Sequence, residues 1–392
     1  MDTQIKRSVL ALRLNFFFMG VLMGGWSTRI PELKTALHMT DATLGRTLIG
    51  ASLAVFVASR IIGKLIRELG TKKVFYLGIF IFPIGYLLIA FAPNAYFVFL
   101  GILAFVLGYM FLDNPLTIIT QSIEAQEDRK YLSGFHAFWS LGTLAAAFFG
   151  SFLIGRVRYS IHLTGLAIIV FIVLIISSRA LEDKKPEDQQ KAMVNLPWFS
   201  PLGRIVIAIG IGMMFSNSAE FGATDWSALF LRDILAISGS AYVGAYLAFE
   251  IGMIISRLMG DRYIHKYGAA KVIRFSGMFG STIWLVTMLI GVNIDHFNKP
   301  LAYVVILLGY FVAGAGVGPL FPGFLTILGN TPGIDMGTAL SRAFLVAMAG
   351  VAVIPATIGF VSDSTNLTIG MLIPITLLFC AGIMSRIGRA KV

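Results

Sequence analysis

Stretches of roughly 20 apolar residues recur along this chain. That is the length a helix needs to cross the ~30 Å hydrocarbon core of a bilayer. Residues 74–92 and 163–178 are two examples. One such stretch could be the buried helix of a soluble core. About a dozen could not, because no soluble domain of 392 residues has an interior large enough for them. Charged residues make up only 13%, against ~25% in soluble domains. The 41 glycines suit membrane helices, where small residues let backbones approach. The fold class this predicts is an all-α integral membrane protein.

The apolar pattern predicts twelve spans, at residues 10–33, 42–69, 72–92, 95–123, 131–155, 160–180, 201–231, 239–266, 269–291, 300–329, 336–361 and 366–387. Ala92-Pro93-Asn94, Lys299-Pro300 and Thr331-Pro332-Gly333 punctuate turns between them. An even number of spans puts both termini on one side. The termini, the even-numbered loops and the adjoining helix ends carry twenty-one Lys and Arg, against seven opposite (Arg29, Lys34, Arg46, Arg156, Arg158, Arg232 and Lys299). Positive residues stay in the cytoplasm, so both termini are expected there. The net charge of +11 is then mostly a topology signal, and no nucleic-acid partner is expected. The first apolar run follows Lys6 and Arg7 but ends without a small-residue cleavage site, so no cleavable signal is expected. A single cysteine, Cys380, excludes an intramolecular disulfide and a cysteine-built metal site.

The least apolar stretch, residues 181–195, carries both charge signs and no helical period, and with it residues 181–199 are set apart. It reads as a linker between a first six-helix bundle at 1–180 and a second at 200–392. The two bundles look like copies. Ser59-Arg60-Ile61-Ile62-Gly63 leads to Gly70-Thr71-Lys72-Lys73, and Ser256-Arg257-Leu258-Met259-Gly260 leads to Gly268-Ala269-Ala270-Lys271. Arg60 and Arg257 are 197 positions apart, half the chain. Trp26 in the first span is echoed by Trp226 in the seventh, and Pro115 in the fourth by Pro322 in the tenth. Parallel copies of a membrane unit are the build of a secondary transporter, with the binding site between the halves.

These features resemble the major facilitator superfamily, over the whole chain. Gly63…Gly70-Thr71-Lys72-Lys73 is similar to that family's loop between helices 2 and 3, usually G-x-L-a-D-R-x-G-R-R. Arg67 stands where the pattern has Asp, Glu68 where it has Arg, and His265 takes the Asp position in the second copy. A narrower resemblance is to a bacterial branch near the fucose-permease-like proton symporters. It rests on Gly25-Trp26-Ser27-Thr28-Arg29-Ile30-Pro31, Asp113, Asn114-Pro115, His136-Ala137-Phe138-Trp139-Ser140-Leu141-Gly142 and Glu220…Asp225-Trp226. The G-P-x-x-G-G signature of drug–proton antiporters is missing from the fifth span. The resemblance implies a cytoplasmic-membrane location in a bacterium. It also implies that spans 1, 4, 7 and 10 line a central cavity, flanked by 5, 8 and 11.

A charge near the bilayer centre costs ~2.5–3.5 kcal/mol on insertion scales, so such residues face a cavity or a partner. The mid-span acids are Asp113, Glu220 and Glu250. With His136 they are the candidates for proton coupling. Helical spacing puts Asp113, Thr117 and Gln121 on one stripe, Asn217, Glu220 and Thr224 on another, and Asn15, Trp26 and Arg29 on a third. The substrate-contact candidates are Asn15, Trp26, Arg29, Asn114, Thr117, Gln121, Trp139, Asn217, Asp225, Trp226 and Arg342. Each has a competing packing role: an acid neutralising an arginine, a tryptophan anchored in the interface belt, or Glu250 paired within its own stripe of Tyr246, Met253 and Arg257. The conformational-switch candidates are Arg60, Gly63, Gly70, Lys72, Lys73, Arg257, Gly260 and Gly268.

The function expected is a secondary active transporter, not an enzyme, with proton-coupled symport of a small polar solute favoured. Trp and Tyr beside Asn and acids suit a sugar-like solute. An exporter of a drug or metabolite is the alternative, and Phe16-Phe17-Phe18 leaves it open. Five histidines and one cysteine show no nucleophile–base pair or metal cluster, and no G-x-x-x-x-G-K-S/T phosphate loop occurs. The partners expected are solute, protons and the bilayer, with no cofactor and a monomeric state.

Overall fold

The computed structural model describes residues 3–127, 131–184, 197–333, 336–351 and 353–386. Among these residues every regular element is helical. The first six spans are α1 (Thr3–Ala36), α2 (Asp41–Leu69), α3 (Thr71–Ala90), α4 (Ala95–Glu127), α5 (Leu132–Ser151) and α6 (Tyr159–Ser178). Then come α7 (Pro201–Asp233), α8 (Gly244–Tyr267), entered by a 3-10 turn at Gly239–Val243, and α9 (Ala269–Ile294). The remaining spans are interrupted. The tenth is α10 (Lys299–Val317) and α11 (Leu320–Gly329), the eleventh α12 (Met336–Val351) and α13 (Ile354–Ser364), and the twelfth α14 (Leu367–Gly370) and α15 (Leu372–Met384). Among the described residues ten stretches are long and apolar enough to cross a membrane. α5 and the α12/α13 pair take the fifth and eleventh places.

The tenth span was expected as one helix over 300–329. It breaks because Pro319 has no amide hydrogen and its ring crowds the preceding turn. Glycines at 314, 316 and 318 add little helical stability there. Capping follows simple chemistry. Ser200 accepts from the Gly203 amide at the start of α7, and Asn298 from the Leu301 amide at the start of α10, each at 3.1 Å.

The chain forms two compact units, Met1–Met39 with Arg46–Gln189, and Thr40–Gly45 with Gln190–Val392. Most of the expected linker, residues 185–196, lies outside the described residues. In the first unit α1 packs on α5 and α6, and α3 packs on α4 and α6. In the second, α7 packs on α12 and α15, and α9 packs on α10 and α15. Span for span this is one pairing scheme used twice. Glycines make the closest approaches. A Cβ at Gly20 or Gly24 would strike the carbonyls of Trp139 and Thr143 on α5, and one at Gly142 the Phe17 carbonyl on α1. Gly252 and Gly314 do the same between α8 and α10.

Candidate functional site

In the second unit, Glu220 lies in mid-α7, and Glu250 and Arg257 lie two turns apart on one stripe of α8. Arg257, a conformational-switch candidate, lies ten residues short of the end of α8, with its guanidinium on α7. Arg257 Nη2 donates to both Glu220 oxygens, at 3.2 and 3.1 Å. The two side chains are 33% and 18% exposed. Glu250 is 2% exposed. It hydrogen-bonds Tyr246 and lies within electrostatic reach of Glu220 and Arg257. Its Oε2 is buried without a hydrogen-bond partner. One guanidinium thus serves two carboxylates. With both acids ionised the cluster carries one uncompensated negative charge, which a proton or a bound donor would balance.

Further along α7, Asn217 and Asp225 are half-buried and Trp226 is fully buried, its indole Nε1 unpartnered. Arg342, expected to meet an anionic solute or an acid, stacks on the Trp198 ring with its guanidinium carbon 4.7 Å from the centroid.

In the first unit, Asp113 is half-buried on α4, with Oδ1 buried and unpartnered. Thr117 on its face is half-buried and Gln121 exposed. Asn114 is exposed, and its amide donates to the Met110 carbonyl at 2.9 Å. His136 on α5 is exposed and sets its ring edge-on to Phe16, 5.2 Å between centroids. Trp139 is half-buried with Nε1 unpartnered. Trp26 is buried, so neither it nor Trp226 has the lipid-facing exposure of a belt anchor.

The α1 stripe turns partly toward α6. Asn15 donates to the Ala11 carbonyl and accepts from Ser177 Oγ on α6, at 2.7 and 2.9 Å. Arg29 is fully buried. Its Nε donates to His162 Nδ1 on α6 at 2.9 Å, and its Nη1 pairs with Glu32. Sequence reasoning missed His162, whose partner is 133 positions away. Nothing in its local pattern marks it.

The switch motifs divide. Arg60 and Gly63 lie within α2, with Arg60 over the Phe56 ring at 5.1 Å. Gly260 is buried within α8. Gly70 and Gly268 are the turns themselves, with φ 88° and 82° and ψ 162° and 143°, a region open essentially only to glycine. At Gly70 a carboxylate is present that the loop sequence lacks. Asp183, from just after α6, accepts from the Lys72 amide at 2.9 Å and the Thr71 hydroxyl at 3.4 Å. Thr71 exchanges two further bonds with the Lys184 backbone, and Lys72 Nζ donates to the Leu181 carbonyl at 3.1 Å. The first four residues of the expected linker are therefore docked on the start of α3. Lys73 is exposed.

Paired helices with glycine contacts, acids inside apolar spans and matched glycine turns define a multi-pass membrane protein built from two like units. Residues 12–355 match the model of the Major Facilitator Superfamily. The chain belongs to that superfamily, whose members are transporters. It is 24% identical over 363 residues to an uncharacterised MFS-type transporter of Yersinia pestis, covering 92% of this chain and 90% of the relative. It is 25% identical over 398 residues to a glucose/galactose transporter of Brucella abortus, covering 94% and 90%. A variant of the nucleoside transporter NupG has the same fold, with a TM-score of 0.77 at 16% identity over 96% of this chain and 98% of that one. So does an inward-facing bacterial homologue of the human lysosomal transporter Spinster, with 0.79 at 11% identity over 100% and 98%.

Proposed function

We propose that the protein is a proton-coupled symporter that moves a small, hydroxyl-rich solute, sugar-like by preference, across a bacterial cytoplasmic membrane by alternating access. The observation that carries this reading is the Glu220–Arg257–Glu250 cluster within the apolar spans. In a dry site a carboxylate gains from a nearby cation and loses from desolvation. A proton arriving on one acid therefore hands the guanidinium to the other, and a change in water access returns it.

Asp113 and Glu250, each with one oxygen unpartnered, are assigned to proton carriage. Glu220, with Asn217 and Asp225 on the same helix, is assigned to solute hydroxyls. In the first unit Asn114, Thr117, Gln121, His136 and Trp139 are assigned to the solute path. Gly70 with Lys72 and Lys73, and Gly268 in the second copy, are assigned to the conformational switch. The naming of one relative for glucose and galactose, and of one fold neighbour for nucleosides, supports a solute rich in hydroxyls.

The test is uptake into proteoliposomes over a panel of hexoses, nucleosides, organic acids and cationic drugs, with and without an inward proton gradient. One hydroxylated solute should accumulate against its gradient, and a protonophore should abolish the accumulation. Movement of cationic drugs alone, in exchange for protons, would replace this reading with the exporter.

A further inference from the structure

The start of α9 carries a feature that transport does not use. Lys271 and Arg274 sit one turn apart in the first two turns of α9, and neither has a hydrogen-bond or ion-pair partner among the described residues. No acid lies in that first turn, and the N-cap Gly268 offers no side-chain cap. The free amides and the helix dipole there add positive potential to the two cations. Directly below them Phe275 and Phe279 stack at 5.2 Å and 8°. They are 67% and 48% exposed. With Phe379 of α15 they wall a groove of about 490 Å³ that Lys271 and Arg274 also line. From Lys271 to Phe279 is about 12 Å along the helix, so a lipid whose phosphate is held at the two cations has its acyl chain alongside the rings.

We propose that this groove is a binding site for an anionic phospholipid. Its phosphate lies between Lys271 and Arg274, and one acyl chain lies along Phe275, Phe279 and Phe379. Charge complementarity selects the headgroup. Basic pockets at the interface between membrane helices suit doubly anionic lipids in particular. A free phosphate would satisfy the cations but leave the aromatic wall uncovered. A zwitterionic lipid would cover the wall but bring its own cation to Lys271 and Arg274. The groove is lined by α9 and α15, whereas the Glu220–Arg257–Glu250 cluster is built on α7 and α8, so this inference stands whatever the solute.

Native mass spectrometry of the full chain, delipidated and then titrated separately with phosphatidylglycerol, cardiolipin and phosphatidylcholine, tests it. The anionic lipids should be retained at least about fivefold better than phosphatidylcholine, the selectivity of one interfacial charge. Lys271→Gln with Arg274→Gln should erase that difference. Arg262→Gln with Lys266→Gln, on the end of α8, should leave it intact. Phe275→Ala with Phe279→Ala should weaken retention of all three lipids. Equal retention of phosphatidylcholine by the native protein would overturn the proposal. So would loss of selectivity in the α8 pair, which would reduce it to general positive charge. Full competition by glycerol phosphate, with the Phe double variant unaffected, would reduce it to a phosphate contact.

Discussion

At the residue scale, the cluster of Glu220, Arg257 and Glu250 makes unequal demands on its members. Glu220 already holds Arg257 through both oxygens, whereas Glu250 keeps one oxygen idle. Glu250→Gln should therefore leave the pair, and the folded protein, intact. Gradient-driven accumulation should drop at least about tenfold, the effect expected of losing an acid–base group, while solute exchange continues. Asp113→Asn should behave alike. Glu220→Gln should instead raise the half-saturating solute concentration. If Asp113→Asn and Glu250→Gln both still accumulate solute normally, neither acid carries the proton. Arg257→Leu leaves two acids unbalanced. It should lower thermal stability by less than the ~3–5 kcal/mol typical of breaking a fully buried pair, because Arg257 is one-third exposed. All three acids were visible in the sequence, since a charge in an apolar span announces itself in one dimension. Their partners were not. The contact of Arg257 with Glu220 spans 37 positions, and that of Arg29 with His162 spans 133. Only packing sets which face of α1 turns to α6.

At the element scale, the loop after α2 owes its shape to Gly70 and Asp183 together. A Cβ at Gly70 would meet the Asp183 carboxylate, and the backbone there excludes other residues. Gly70→Ala should cost about 1–3 kcal/mol, read as a lower melting temperature in detergent. Asp183→Ala should cost about 0.5–2 kcal/mol, the range for losing a helix cap. If Asp183 matters only at this cap, the two losses together should fall short of their sum, as expected for residues in contact. A double variant whose loss equals the sum would separate them. The matched glycines at 70 and 268 were legible because glycine at a turn is a local signal. The contact of Asp183 with this turn was not, because that residue comes from the far side of four helices in the chain. The same holds for the interrupted tenth span. Pro319 was in plain sight, but Pro31, Pro83 and Pro115 sit inside unbroken helices, so proline alone did not decide the outcome.

At the scale of the whole molecule, the repeated pairing scheme was the most legible property, since it was written in spacing near half the chain length. It argues for an even number of spans. A reporter active only in the cytoplasm should therefore be active both after Val392 and when inserted near Glu187. Activity at one site alone would break the twelve-span order. Charge bias makes the cytoplasm the expected side, because lysine and arginine counts integrate over many loops and tolerate local error. Substrate identity was not legible at any scale, since it depends on the shape left between side chains.

The glycine seams between α1 and α5, and between α8 and α10, have a mechanical consequence. Where two backbones touch with no side chain between them, there is no bearing surface on which one helix can slide past the other. Such pairs behave as welded girders, not as sliding rods. Compliance must then sit where a link of the hydrogen-bond ladder is missing, and Pro319, which has no amide hydrogen to donate, is such a place between α10 and α11. The stiffness of the paired helices would deliver any bend there undiminished to the far end of the span, as a rigid door magnifies a small turn of its hinge.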